Sequence, residues 1–235
     1  QREHQEFLAT VEATAIENGA AIEALPASGV AVFPASDAHA PLWRRLAGKR
    51  RVLDFALQGQ ASDAQLSKVQ AQVIAHATTV GAGRSALSIA SPAGVIEAEL
   101  ALSGRHMLHN AVAAATCAIA LNTEPHFIAA GLAAFHPVAG RGVATRLASG
   151  AMLIDDSYNA NPDSVRAAID LLMSADAPSV LVLGDMGEVG VNGVAFHREV
   201  GDYARQQGVG TLLALGEATR DTVNAFGKGA VHFDD

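Results

Sequence analysis

Scarcity marks this 235-residue chain before any motif does. Cysteine occurs once, at Cys117. No disulfide can therefore form within the chain, which fits a reducing, cytoplasmic setting. Tryptophan also occurs once, and aromatic residues make up only 5% of the sequence. No apolar run reaches the roughly 18 residues of a membrane-spanning helix, and no signal-peptide pattern is present. Basic charge is sparse too: 16 Lys and Arg stand against 24 Asp and Glu, giving a formal net charge of −8. The densest basic run, Lys49-Arg50-Arg51, reads as a solvated face. A nucleic-acid partner is excluded, because phosphate backbones are held by basic patches.

Half of the residues are hydrophobic and 22 are glycine, as in α/β proteins. The length suits one or two domains with sizeable cores. Gln1 to Phe7 runs into a helical pattern (Phe7, Leu8, Val11, Ile16) with no preceding strand, so the chain reads as one that opens inside a domain. A strand at 30–33, a helix near 38–46 and a strand at 52–57 follow. Residues 69–100 carry β signals punctuated by Gly81-Ala-Gly83 and Ser91-Pro-Ala-Gly94, which predicts an antiparallel meander. Gly104 to Leu121 is a strong helix rich in alanine, and Cys117 within it reads as a small core residue. Its first turn holds His106, His109 and Asn110, spaced so that they share a face. A histidine pair at this spacing suits a metal, yet no carboxylate or cysteine companion is near. The residues read instead as polar or ligand contacts at a helix start.

A helix at 125–135 leads into Pro137-Val-Ala-Gly-Arg-Gly142, a linker, so the domains are expected at 1–139 and 140–235. Beyond it the pattern alternates: strand 151–155, helix 162–173, strand 179–183, helix 194–206, strand 211–215, helix 217–226, and a strand starting at Val231. Such alternation predicts a parallel, doubly wound sheet. The second of these strands runs into Gly184-Asp-Met-Gly-Glu-Val-Gly190. This spacing is not the dinucleotide fingerprint, and the segment reads as a flexible loop carrying Asp185 and Glu188.

One stretch stands out, Met152 to Leu172. A short apolar strand is followed by Asp155, Asp156, Ser157, Tyr158, Asn159 and Asn161, and then by Pro162 at a helix start. Asn161 reads as the N-cap, with Val165, Ala168, Ile169 and Leu172 as the buried stripe. A capping turn needs one such polar side chain. The remainder fits a ligand site at a strand's carboxyl end.

Four motifs occur in one order: Gly104-Arg-His-x-x-x-Asn-Ala111, Phe135-x-Pro-Val-x-Gly-Arg141, Asp155-Asp-Ser-Tyr-Asn-Ala-Asn-Pro-Asp-Ser164 and Leu183-Gly-Asp-Met186. Together they resemble the Mur ligases, above all the branch that joins D-Ala-D-Ala to UDP-N-acetylmuramoyl-tripeptide. The decapeptide is the most specific of them. The resemblance spans nearly the whole chain and implies an α/β fold: the later part of the family's central ATPase domain, then a Rossmann-like doubly wound C-terminal domain. The family's UDP-recognition domain and its Gly-Lys-Thr phosphate loop have no counterpart in these residues.

The implied activity is ATP-dependent amide formation through an acyl phosphate, in peptidoglycan precursor synthesis, with ATP and Mg²⁺. The implied roles are metal binding for His4, adenine contact for Asn110 with His106 beside it, and phosphate contact for Arg141. Asp156 matches a ribose-contacting aspartate across a cleft from Arg141, Tyr158 falls on the nucleotide side, and Asn159 and Asn161 fall on the peptide side. Two positions depart from the pattern. Asn18 stands where much of the family has a carbamylated lysine that bridges magnesium, and Met107 replaces a common asparagine. Two other readings stay open: a related ligase of folylpolyglutamate or cyanophycin type, and a non-catalytic nucleotide-binding module.

Overall fold

Arg51–Gln58 is apolar except at its ends and at Asp54, and it is buried on both faces, as a strand inside a parallel sheet must be. The computed structural model describes residues 2, 5–8, 10–58, 70–81, 83–102, 104–175 and 178–234. His4 lies outside them. The chain divides into two compact units, Ala15–Asp155, and Gln1–Thr14 together with Asp156–Asp235.

In the first unit, β1 (Val30–Pro34), β2 (Arg51–Gln58), β3 (Val73–Gly81), β4 (Arg84–Ser91) and β5 (Gly94–Leu100) form one sheet in chain order. The first three run parallel, and β3 to β5 form the expected antiparallel meander. The burial of β4 alternates through Ser85, Leu87 and Ile89, the mark of a strand covered on one face. Helix α4 (Arg105–Ala120) buries Leu108, Val112, Ala115 and Ile119 against this sheet, joined by Ile128 and Leu132 of α5 (Pro125–Ala134). A smaller core, Ile22, Ala31, Phe33, Ala40 and Ala47, joins β1 to α2 (Val11–Glu23) and α3 (Ala40–Ala47). Buried Asp54 is fully engaged: Arg44 donates to Oδ2 at 2.5 Å and the Gln72 N–H to Oδ1 at 2.9 Å. Cys117 departs from expectation and is exposed. It falls outside the stripe formed by Leu108, Val112, Ala115 and Ile119, so the helix turns it outward.

In the second unit, β8 (Val180–Gly184), β9 (Thr211–Leu215) and β10 (Ala230–Phe233) make a parallel sheet in the order β10-β9-β8. Helices α6 (Pro162–Met173), α7 (Gly193–Gln207) and α8 (Thr219–Phe226) share its core through Val165, Ile169, Leu183, Val200, Leu212 and Phe226. The opposite face, with Val180, Val182, Leu215, Val231 and Phe233, is exposed. Helices α7 and α8 cross where Gly201 has no side chain. A Cβ there would stand 2.2 Å from the Thr222 carbonyl oxygen.

The mixed α/β class with parallel-rich sheets is as expected, but the expected first strand of the doubly wound sheet is not in it. Met152–Asp155 (β7) pairs antiparallel with Val143–Arg146 (β6), an unforeseen strand that begins just after the linker. The Leu147–Gly150 turn, closed by the Gly150 N–H on the Leu147 carbonyl at 2.9 Å, brings the two segments together locally. The expected single N-terminal helix is split into α1 (Gln5–Leu8) and α2. Among the described residues, no helix is long and apolar enough to cross a membrane.

Candidate functional site

In the Ala15–Asp155 unit, polar groups gather at the carboxyl ends of β1 and β2, the usual ligand edge of a parallel sheet. Helix α4 starts there after Gly104, whose φ of 87° suits only glycine, and its first N–H groups have no side-chain cap. Arg105 fastens this start to β2 by donating to the Leu57 carbonyl at 3.0 Å. His106 Nδ1 is buried without a hydrogen-bond partner, a state that costs free energy unless something outside the chain supplies one. Asn110, one turn further, is exposed. Between them His109 lies against Phe55, with ring centroids 5.1 Å apart. Burial, together with the Arg105 charge, pushes its imidazole below the ordinary range, and Asp37 opposes the shift only in part. Asp37, in the loop after β1, accepts from the His39 backbone at 2.7 Å. Gly142, next to Arg141, has a φ of 73°, and a Cβ built there would lie 4.0 Å from Met107 of α4. Arg141 itself is exposed.

In the other unit, the polar decapeptide forms the loop from Asp156 to Asn161 and the first turn of α6. Asn161 is buried, and its Oδ1 accepts from the Asp163 N–H at 3.0 Å and the Ser164 N–H at 2.9 Å. Ser164 Oγ accepts from the Asn161 N–H in return, completing a capping box. Asn161 thus fixes the exit of the loop. Asp156 is half-buried, while Tyr158 and Asn159 are exposed. Asn159 Oδ1 accepts from the Ala160 N–H at 2.9 Å, so that side chain braces the loop as well.

The segment from Gly184 to Glu188, read as flexible, is pinned. The Met186 N–H donates to His197 Nε2 at 3.1 Å, which leaves the proton on Nδ1, and Nδ1–H donates to the Gly193 carbonyl at 2.8 Å. Asp185 Oδ1 accepts from the Thr219 N–H at 2.9 Å, at the start of α8. Neither Asp37 nor His197 was singled out from sequence. The strand-end rule would have found Asp37, whereas nothing local marks His197.

The expected residues therefore fall into two groups, His106, Asn110 and Arg141 in one compact unit and Asp156, Tyr158, Asn159 and Asn161 in the other. Asn18 is exposed on α2. Among the described residues, no group of three His, Cys, Asp or Glu side chains is placed to hold a metal ion.

Both units are α/β, with polar loops at the carboxyl ends of parallel strands. Residues 1–118 match the Mur ligase middle domain, and residues 140–235 match the Mur ligase glutamate ligase domain. The chain belongs to the Mur ligase family. It is 32% identical over 232 residues to the UDP-N-acetylmuramoyl-tripeptide–D-alanyl-D-alanine ligase of Escherichia coli (strain K12), covering 99% of this chain and 49% of that protein. The enzyme of the same name from Mycobacterium tuberculosis (strain H37Rv) is 36% identical over 142 residues, 57% of this chain and 28% of its own length. A crystal structure of MurF from Acinetobacter baumannii superposes with a TM-score of 0.84 at 24% identity, over 98% of this chain and 48% of that one. The MurF ligase of Thermotoga maritima, solved with ADP, gives 0.78 at 19% identity, over 97% and 49%. The chain spans about half the length of the E. coli, A. baumannii and T. maritima relatives.

Proposed function

We propose that this chain supplies the nucleotide- and peptide-handling part of an ATP-dependent ligase that joins D-Ala-D-Ala to UDP-N-acetylmuramoyl-tripeptide in the cytoplasm. The observation that carries the reading is the start of α4: an uncapped helix end at the carboxyl edge of a parallel sheet, with the buried, unpartnered His106 Nδ1 and, one turn on, the exposed Asn110. Such an end suits a nucleotide, whose base supplies hydrogen-bond partners and whose phosphates favour a helix N-terminus. Two likenesses add support: the E. coli relative carries this ligase's name, and the T. maritima relative was solved with ADP. In this reading residues 1–139 belong to the central ATP-binding domain and 140–235 to the C-terminal domain.

The chemistry has two displacements. A carboxylate oxygen of the tripeptide attacks the γ-phosphorus of ATP, and ADP leaves. The D-Ala-D-Ala amine then attacks the acyl carbon, inorganic phosphate leaves with the bonding pair, and the amine sheds a proton. Neither step needs a covalent protein intermediate, so the chain's work is positioning and charge neutralisation. Asn110 and His106 take the adenine, and the fork of Arg141 takes phosphate oxygens. In this reading Asp156 and Tyr158 contact the nucleotide and Asn159 the peptide, with Asn161 acting through the cap. Magnesium, when bound, would shield phosphate charge. His4, the metal ligand that the resemblance implies, falls outside the described residues, and Asn18 cannot carry a carbamate.

The test is Asp156→Ala in the full-length enzyme. Losing one charge-assisted hydrogen bond costs about 1.5–3 kcal/mol, so kcat/KM for ATP should fall about ten- to a hundredfold with thermal stability unchanged. Unaltered ATP kinetics in a normally folded variant would remove Asp156 from the nucleotide site.

A further inference from the structure

Arg2 makes the densest set of polar contacts in the Gln1–Thr14/Asp156–Asp235 unit, and nothing in the reaction outlined above uses it. Its guanidinium donates from Nη2 to Asp163 Oδ1 at 2.7 Å and from Nε to the same oxygen at 3.1 Å. It also donates from Nη1 to Glu199 Oε2 at 2.6 Å and from Nη2 to Glu199 Oε1 at 2.8 Å. The Arg2 backbone N–H donates to Asp163 Oδ2 at 2.8 Å, and the guanidinium lies over the Phe196 ring at 5.1 Å. Arg166, itself 4.3 Å over the Tyr203 ring, gives Glu199 a second cation at 3.1 Å. Further along the same segment, the Glu6 N–H donates to the Glu188 carbonyl at 3.3 Å.

These contacts reach the first turn of α6, the body of α7 and the loop after β8. Asp163 is the second residue of α6, and its own N–H is the one that Asn161 Oδ1 caps. The cap holds Asp163 by its backbone, and Arg2 holds it by its carboxylate. Glu188 ends the Gly184–Glu188 segment that Asp185 and His197 pin from the other side. A residue needed only for solubility or general stability would have no reason to present a planar fork to one carboxylate on each of two helices, one of them in the capping turn of the decapeptide.

We propose that Arg2 is a positioning residue: it clasps Asp163 and Glu199 and so fixes the loop from Asp156 to Asn161 for substrate. This rests on the proposed ligase reading, in which that loop meets nucleotide and peptide. Arg2 touches no reacting atom and acts through the cap.

The test compares the parent full-length enzyme with Arg2→Ala, Arg2→Lys, Asp163→Asn and the Arg2→Ala/Asp163→Asn double variant. Amide exchange at Ser164 is measured alongside, in the 235-residue chain. The expected result is a loss of about tenfold in kcat/KM for Arg2→Ala, the size of one charge-assisted hydrogen bond, with faster Ser164 exchange. Lysine should restore little, since an ammonium cannot reproduce the fork. The double variant should be no worse than Arg2→Ala alone, because that substitution already removes the Asp163 contact. If Arg2→Ala does not fold, Arg2→Lys and Asp163→Asn carry the same comparison. A lower melting temperature with parent kinetics and parent Ser164 exchange overturns the proposal, as do additive losses in the double variant. A parent enzyme without D-Ala-D-Ala ligation refutes the ligase reading instead, and Ser164 exchange then decides the clasp by itself.

Discussion

Replacing His197 by leucine tests how the Gly184–Glu188 loop is held. The imidazole is fully buried, accepts the Met186 N–H and donates to the Gly193 carbonyl. Leucine fills similar space but neither accepts nor donates. The Gly193 carbonyl keeps its intrahelical partner at the start of α7. The Met186 N–H does not: Met186 is only 3% exposed, so water cannot readily replace the lost acceptor. A buried donor left unpaired costs about 1–3 kcal/mol, and that is the expected loss for His197→Leu. His197→Gln, whose side-chain oxygen can accept the same N–H, should recover part of it. Because the chain forms two compact units, urea unfolding is best paired with a local probe, hydrogen exchange at the Met186 amide. Exchange there should quicken by the factor matching the measured loss. A leucine variant within 0.5 kcal/mol of the parent (roughly the scatter of neutral substitutions) and with unchanged Met186 exchange would show that the loop is held by something other than this histidine.

Acid should release the Arg2 clasp. Glu199 is held below the ordinary carboxylate range by its hydrogen bonds from Arg2, against some opposing burial; for Asp163 burial is the largest single effect and pushes upward, but the several Arg2 contacts together outweigh it and hold the carboxyl low. Since both folded-state values are depressed, their contribution is complete above the unfolded carboxyl range near pH 4 and is lost as pH falls through the lower folded values. A pH series of urea midpoints should therefore fall less steeply on acidification for Arg2→Ala than for the parent, and parallel curves would refute the coupling. Gly201→Ala should cost about 1–3 kcal/mol or more, because its Cβ would meet the Thr222 carbonyl oxygen at 2.2 Å and α7 and α8 would have to part. A melting temperature equal to the parent's would mean that the helices separate freely.

What the sequence revealed tracks how local each cause is. The stripe of α4, the meander turns at Gly81 and Ser91, and the Asn161-Pro162 helix start each depend on residues within a few positions, and all appear as expected. The β6–β7 hairpin went unread because Val143-Ala-Thr-Arg146 sits between glycines in a segment whose composition signals a linker. Cys117 was misplaced because alanine on either side hides which face of the helix is apolar. The loop at Gly184 looked loose because its restraints come from His197 and Thr219, on other elements. The clasp was invisible for the same reason, with partners 161 and 197 positions away. At the candidate site, the polar residues were legible as a cluster. The orphaned His106 Nδ1 and the approach of Phe55 to His109 needed coordinates.

The unit built from Gln1–Thr14 and Asp156–Asp235 is discontinuous in sequence, and this sets an order of assembly during synthesis. The residues from Ala15 to Asp155 have their sheet and core partners among themselves, and they are made before most of the other unit exists. Arg2 leaves the ribosome early and finds its first carboxylate only when Asp163 follows, 161 residues later. At about 5–20 residues per second that wait is roughly 10–30 s. Over that interval Arg2 has neither of its carboxylate partners. Glu199 of α7 arrives later still and completes the clasp.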